Sequence, residues 1–349
     1  MGGAILLNKE YSTTRYLTRT SLATRNNDWD AKFPSCLSSS LKSVHREEGG
    51  LRTQGLIKGG GDSGAVDESR SCARPLVSII TVVFNGDIHI ERTIRSVLNQ
   101  SYENVEYIVI DGGSTDNTLE ILRNYNDQID YWVSERDNGI YDAMNKGIRL
   151  ASGATIGLLN CGDTYEPWFV EKLIAKLRGR ADISRTVLYT HFKVELDGLA
   201  VTQYHQSHMA YWRGMSICHQ AMLIGKAIYS DLGSYDTSYR LAADYEFLLR
   251  MATRGVSFVG VDVYGITFMH TGQSSSYNQE SQKEARRINR AYFGSLSVRH
   301  LVFAVRSWHQ IFVYYYLKKV LYRFLGRRLT NRIRLIKKSI FGFTKPSCE

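Results

Sequence analysis

Two periodicities alternate along residues 76–178, and this alternation narrows the folds open to the chain more than any other feature. Val77 to Phe84 and Val105 to Ile110 are β-branched, apolar runs, the pattern of strands covered on both faces. Between them Ile90, Ile94, Val97 and Leu98 recur at helical spacing and predict a helix packed along one stripe. A strand over Tyr131 to Ser134 follows, then a helix carrying Ile140, Ala143, Met144, Gly147, Ile148 and Ala151. Thr155 to Leu159 reads as another strand, and Pro167 as the opening of another helix. Such alternation specifies an α/β, doubly wound sheet. After Ile110 a further helix is expected, with Ser114 or Thr115 as its N-cap and Asp116 in its first turn.

Beyond residue 178 the pattern changes. Val187 to Glu195 and Leu199 to Tyr204 flank Asp197-Gly198, a hairpin signal that adds antiparallel pairing and makes the sheet mixed. Gln220 to Gly225 suits one more strand, and a helix is expected from about Asp244 to Thr253. Gly139, Ala143, Asn145 and Gly147 are small enough to let their helix approach the sheet closely.

Three acids stand just after apolar runs or at a helix start: Asp111, Asp163 and Asp244. In an open α/β sheet the crevice beyond the carboxyl ends of the strands is where ligands bind. Five ordered segments surround these acids. They are Val77 to Asn85, Ser96-Val97-Leu98-Asn99-Gln100-Ser101-Tyr102, Asp111-Gly112-Gly113-Ser114-Thr115-Asp116, Asn138 to Gly147, and Leu159-Asn160-Cys161-Gly162-Asp163. Together they resemble the nucleotide-binding half of a family 2 glycosyltransferase of the GT-A fold, of the bacterial colanic-acid or exopolysaccharide type. The segment to about residue 275 is similar to the acceptor half of that family.

The resemblance implies a Rossmann-like nucleotide-binding half, and a site assembled from Asn85, Asp111, Asp137, Asn138, Asn160 and Asp163 around a nucleoside diphosphate sugar. It implies that Asp111 accepts a hydrogen bond from a ring N–H of the base, with Asn85 beside it. The lesser alternative for Asp111 is the capping of the next helix or the acceptance of hydrogen bonds from loop amides. The family's acidic cluster would place carboxylates at 160, 162 and 163, where this chain has Asn160, Gly162 and Asp163. A divalent cation, Mg²⁺ or Mn²⁺, is therefore expected on Asp163 with the substrate diphosphate supplying most ligands, and His270 is a further candidate ligand. Asp244 matches the position of the base that takes the proton from the attacking hydroxyl. Ala243 stands where many relatives carry a second acid. Glu246, two residues on, cannot share a helix face with Asp244. His219, Gln220, Glu246 and Arg250 are expected to line the acceptor or diphosphate pocket. An inverting mechanism is implied by the resemblance alone.

The formal charge of +10 has a definite address: Arg299 to Glu349 carry twelve Lys/Arg and one Asp/Glu, so the rest of the chain is nearly neutral. In that tail Trp308, Ile311, Phe312, Tyr314 to Tyr316, Leu321, Phe324 and Leu325 alternate with Lys318, Lys319, Arg323, Arg327 and Arg328. Its longest uncharged run, Ser307 to Leu317, has eleven residues, well short of the roughly 20 that span a bilayer. Basic amphipathic helices lying on an anionic membrane surface through residues 299–343 are expected. Packing of the same stretch on the domain is the other reading. No recognition motif accompanies the basic patch, and nucleic acid is not an expected partner.

The first 74 residues are rich in Ser, Gly, Thr and Arg, end near the linker-like Lys58 to Gly64, and are expected to be disordered. The expected division is thus an extension over 1–74, a GT-A domain over 75–285 and a basic helical tail over 286–349. Five cysteines without paired spacing predict neither a zinc site nor a disulfide framework, and a reducing compartment. No apolar segment of signal-peptide length lies near Met1. The functional expectation is a glycosyltransferase peripheral to the cytoplasmic face of a membrane, acting on a glycan or lipid-linked acceptor during cell-surface polysaccharide assembly. The alternatives are a nucleotidyltransferase that makes activated sugars and a non-catalytic sugar-nucleotide or membrane-binding protein. Against the former, Asn85-Gly86-Asp87 follows the first strand where a Gly-rich, basic phosphate loop would stand. A dinucleotide-binding dehydrogenase lacks its GxGxxG at the same place.

Overall fold

The computed structural model describes residues 46–56, 58, 74–177, 182–196, 200–269, 279–294, 298 and 305. One mixed sheet organises them. Its strands are β1 (Glu47–Gly49), β2 (Val77–Val83), β3 (Val105–Asp111), β4 (Tyr131–Ser134), β5 (Thr155–Asn160), β6 (Thr164–Tyr165), β7 (Thr186–Leu196), β8 (Ala200–Tyr204), β9 (Met222–Gly225) and β10 (Ser257–Met269). Their order is β1-β4-β3-β2-β5-β9-β7-β10-β6, with β8 paired to β7. β4, β3, β2 and β5 run parallel. β9 is antiparallel to both of its neighbours.

The period of two along β2 explains the layers. Val77, Ile79 and Val83 face one core, while Ile80 and Val82 face the other, and each is sealed from water. The first core is closed by helices α1 (Ile90–Leu98), α2 (Thr118–Asn124) and α4 (Phe169–Lys176). The second is closed by α3 (Ile140–Leu150), α5 (Lys226–Leu232) and α6 (Ala243–Thr253). Close approach of α3 depends on Gly147: a Cβ there would lie 2.4 Å from Ile80 Cγ2. Asn145 ties the same helix to the later half through Nδ2 to the Tyr235 carbonyl, 2.8 Å, and the Tyr235 amide to its Oδ1, 3.0 Å. The alternation, the hairpin and the mixed sheet expected from the sequence are all present. The hairpin tip, 197–199, lies outside the described residues.

Several expectations are corrected. Disorder across the whole of 1–74 does not hold, because residues 46–56 and Lys58 join the domain. β1 pairs antiparallel with β4, and Arg52 forms a buried ion pair with Glu106. Lys58 Nζ reaches Asp130 Oδ2 at 2.9 Å with both side chains almost fully buried. Burial alone would push the Glu106 carboxyl up, but Arg52, Ser152 and Ser78 outweigh it and hold the group below its ordinary value. The cap of α2 also differs. The helix starts at Thr118, and Asp116 Oδ1 takes the Thr118 amide at 3.0 Å from outside the first turn. β10 was not foreseen, because Gly260 and Gly265 interrupt its alternation and its register against β7 shifts twice between Gly260 and Ile266. Finally, helix α7 (Gln279–Phe293) runs across the expected boundary at 285 and packs Ile288 against Tyr245 and Leu249 of α6. Apart from Val305, residues 299–343 lie outside the described residues, as do the basic helices expected there. Among the described residues no helix is long and apolar enough to cross a membrane.

Candidate active site

From β2 the chain passes to β3 and β4 on one side and returns to β5 on the other, so the sheet order reverses at β2. The crevice beyond the carboxyl ends of β2 and β5 is where such a sheet receives a ligand. At the first of these ends Asn85 adopts left-handed backbone, φ 49°, unusual for a residue with a side chain. Its Oδ1 accepts the Thr115 amide at 2.8 Å, and its own amide donates to Ser114 Oγ at 2.7 Å. Asn85 thus braces the loop after β3, while Phe84 before it leaves its ring 64% exposed. At the second end Asn160 Oδ1 is buried and has no hydrogen-bond partner among the described residues. Unsatisfied buried acceptors are rare.

Asp111 is held by its own loop and by the adjacent strand. The residue is fully buried, and its carboxylate accepts the Gly113 amide at 3.1 Å, the Ser114 amide at 2.9 Å, the Ser114 hydroxyl and the Ser134 hydroxyl at 2.6 Å. These contacts include the loop amides considered from the sequence, and the Ser134 hydroxyl ties β3 to β4. Asp137 and Asn138 lie on the next loop. Asp137 Oδ1 accepts the Gly139 amide at 2.9 Å, and the exposed Asn138 donates its amide to Asp142 Oδ2 at 3.0 Å.

Asp163 and Asp244 converge. Asp163 is 4% exposed, and its Oδ1 accepts the Met269 amide at 3.0 Å, which docks the carboxyl end of β10 beside β5. Its Oδ2 accepts Gln220 Nε2 at 3.3 Å. Burial pushes this carboxyl up to about 7, against the opposing pull of Met269, Gln220 and the charge of Arg92. The residue before Gln220 meets the other acid: His219 Nδ1 lies 3.2 Å from Asp244 Oδ2. Asp244 Oδ1 accepts the Tyr141 hydroxyl at 3.0 Å and the Tyr245 amide at 2.8 Å. Two consecutive residues on a 3-10 turn therefore clamp two carboxylates that lie far apart in sequence. Among the described residues the buried His219 Nε2 has no hydrogen-bond partner. Asp244 keeps 20% of its side chain open to solvent, enough for a hydroxyl to approach. Tyr141 was missed from the sequence because it lies on the buried face of α3, where an aromatic reads as core.

Glu246 and Arg250 pair with each other. Arg250 grips Glu246 through Nε at 3.1 Å and Nη2 at 2.5 Å, and also donates to the carbonyls of Leu232 and Ser234. Tyr292 of α7 donates to Glu246 Oε1 at 2.6 Å. Four of the five N–H donors of the guanidinium enter this clamp, which joins α5, α6 and α7. His270 lies outside the described residues.

For a divalent ion, the end of β5 offers the Asp163 carboxylate and the orphaned Asn160 amide oxygen. These are hard oxygen donors that fit an ion held mainly by a diphosphate. A separate group that could hold a metal is present between β7 and β10, where ligand atoms of His191, His205 and Asp262 lie within 4.8 Å of one another. There the Gln206 amide donates to His191 Nδ1 at 3.0 Å, which leaves Nε2 protonated toward Asp262, 3.0 Å away. The set is satisfied as a hydrogen-bonded one.

The glycosyl transferase family 2 model matches residues 78–232. An uncharacterized glycosyltransferase of Mycobacterium tuberculosis is 37% identical over 183 residues, covering 51% of this chain and 69% of that protein. A second uncharacterized glycosyltransferase, from Haemophilus influenzae, is 29% identical over 237 residues, covering 62% and 72%. Among solved structures the chain is similar to residues 1-349 of S. aureus TarS crystallised with UDP, with a TM-score of 0.52 over 68% of this chain and 72% of that one. Identity there is 16%, so this likeness concerns the fold alone.

Proposed function

The chain belongs to glycosyl transferase family 2 and is a glycosyltransferase, and from that premise we propose an inverting transfer of a sugar from a nucleoside diphosphate sugar to a hydroxyl of a glycan or lipid-linked acceptor. The observation that carries this reading is the pair of carboxylates, Asp163 and Asp244, held by Gln220 and His219 at the carboxyl edge of the sheet. Asp244 takes the proton of the acceptor hydroxyl, whose oxygen forms the new bond to the anomeric carbon. The bond from that carbon to the phosphate oxygen breaks, and its electron pair leaves with the nucleoside diphosphate. Tyr141 and His219 fix the orientation of Asp244, so its free lone pairs face the approaching hydroxyl. Asp163 and Asn160 lie where the diphosphate would rest, and with it they would hold a Mg²⁺ or Mn²⁺ ion, His270 being the further candidate ligand. When bound, such an ion supplies Lewis-acid neutralisation of the leaving group.

The acceptor setting proposed is cell-surface polysaccharide assembly at the cytoplasmic face of a membrane, reached through the basic residues of 299–343. The relatives' names are consistent with this, since an Escherichia coli chondroitin synthase is 29% identical over 187 residues, although only 27% of that protein is covered. The donor is testable on the purified full chain. A cognate nucleoside diphosphate sugar, with Mn²⁺, should raise the unfolding temperature and release nucleoside diphosphate when acceptor is added. A panel of such donors that produces neither effect would refute the reading.

A further inference from the structure

Helix α6 opens on Ala242 and Ala243, whose side chains carry no acceptor for backbone amides, so the turn that leads into it depends on partners from elsewhere. Asp236 serves the first half of that turn, taking the Ser238 amide on Oδ1 at 2.9 Å and the Tyr239 amide on its carbonyl at 3.2 Å. The second half is served from α7. Glu284 accepts the Arg240 amide on Oε1 at 3.0 Å and the Leu241 amide on Oε2 at 2.9 Å. One carboxylate thus spans two successive amides at the positive end of α6, where the helix dipole favours negative charge. The grip of α7 continues past Asp244. Asn289 Nδ2 donates to the Tyr245 hydroxyl at 3.1 Å and to the Trp212 carbonyl at 3.3 Å, and the Tyr292 hydroxyl donates to Glu246 Oε1 at 2.6 Å. Residues 240, 241, 245 and 246 are thereby held by α7, while Asp244 between them turns to Tyr141 and His219. Asn289 and Tyr292 hold side chains behind Asp244, whereas Glu284 holds the backbone ahead of it. Burial pushes the Tyr141 hydroxyl well up, and the carboxylates of Asp244 and Glu284 push the same way, so Glu284 lies within electrostatic reach of the residue that orients Asp244.

We propose that Glu284 is a positioning residue for the transfer: by holding the Arg240 and Leu241 amides, its carboxylate fixes the turn from which α6 starts, and so the angle at which Asp244 meets the acceptor hydroxyl. The inference rests on Asp244 being the base and adds to it a residue that touches no substrate. Two parallel hydrogen bonds to one carboxylate restrain both displacement and rotation of the turn, which a single bond does not. Geometry at this scale governs rate, since a reacting group displaced by about 1 Å can cost about a hundredfold. Glutamine at 284 would offer one acceptor and turn an NH₂ group toward the other amide, so the turn would lose a restraint and set a donor against a donor.

The full chain, supplied with Mn²⁺, UDP-, GDP- and dTDP-sugars as donors and octyl glycosides as acceptors, reports on this through nucleoside diphosphate release from the pair that the wild type turns over. Glu284→Gln should lower kcat about tenfold, with donor affinity within about twofold and circular dichroism unchanged. Hydrogen–deuterium exchange should quicken over 238–246 and stay as in the wild type over β2 to β5. The decisive readout is coupling. In an Asp244→Asn background, Glu284→Gln should change the residual release by less than about twofold, because a residue that acts through the base then has nothing left to position. A similar loss in both backgrounds marks a merely structural role and overturns the inference. So does a Glu284→Gln chain that transfers at the wild-type rate, or one that does not fold. If Asp244→Asn transfers as the wild type does, the base is elsewhere and the inference falls with that assignment. A wild type that turns over no donor on any acceptor refutes the nucleotide-sugar reading itself, and the inference with it.

Discussion

The loop after β3 and the first turn of α6 each hold an aspartate that accepts at least three hydrogen bonds, yet the two regions use the residue in opposite ways. Asp111 takes its donors from the loop it belongs to and from Ser134 on the adjacent strand, and it is sealed from solvent. Asp244 takes two of its donors from side chains far away in sequence, Tyr141 and His219, and stays partly open. A carboxylate satisfied by its own backbone builds structure. One held by side chains from separate elements is aimed.

This contrast can be broken by substitution. Asp111→Ala leaves two buried amides and two hydroxyls without their acceptor and should cost about 3–5 kcal/mol in chemical denaturation. An effect below about 1 kcal/mol would place Asp111 among the ligand-facing groups instead. Asp163 belongs to the aimed class, and its signature is a pH dependence. Its folded carboxyl is pushed up to about 7 while the unfolded one titrates near 3.9, so the folded state keeps a proton that the unfolded state has lost. Stability attributable to this group is therefore full below about pH 4 and declines as the pH rises through about 7. Asp163→Asn should remove that decline, and its advantage over the wild type should grow by about 2–4 kcal/mol between pH 4 and pH 8. Parallel pH profiles for the two proteins would contradict it. His219→Ala should lower the transfer rate by about tenfold with donor affinity unchanged, because it removes one hydrogen bond to a charged group but not the carboxylate. A change in donor affinity alone would move His219 to the donor side of the site.

Much of the fold could be read from the sequence, since β2 through β5 and α1 through α4 show the periods of two and 3.6 that sheet and helix packing impose. What escaped had a common cause. Residues 46–56 and Lys58 are joined by β1 and by the pairs Arg52–Glu106 and Lys58–Asp130, buried ionic contacts that leave no periodic trace. β10 was hidden by its bulges, which switch the face of every following side chain. At the site, Asp163, Asp244, His219 and Gln220 were all visible as residues, but not that neighbouring residues would clamp the two acids. Asp111 and Arg250 matched a family pattern that does not encode the hydrogen bonds holding them. The Glu284 carboxylate on the amides of Arg240 and Leu241 is a contact between separate elements, and no spacing along the chain encodes it.

The role of Asp244 can be measured most directly by following nucleoside diphosphate release and sugar transfer with Asp244→Asn beside the wild type, together with donor affinity by calorimetry. Asparagine keeps an oxygen acceptor for Tyr141, and its Nδ2 can donate to His219 Nδ1 once the imidazole carries its proton on Nε2, so the fold and the donor pocket should persist. Transfer should fall at least about a hundredfold while donor binding stays within about twofold. Transfer at the wild-type rate would contradict the assignment of Asp244 as the base.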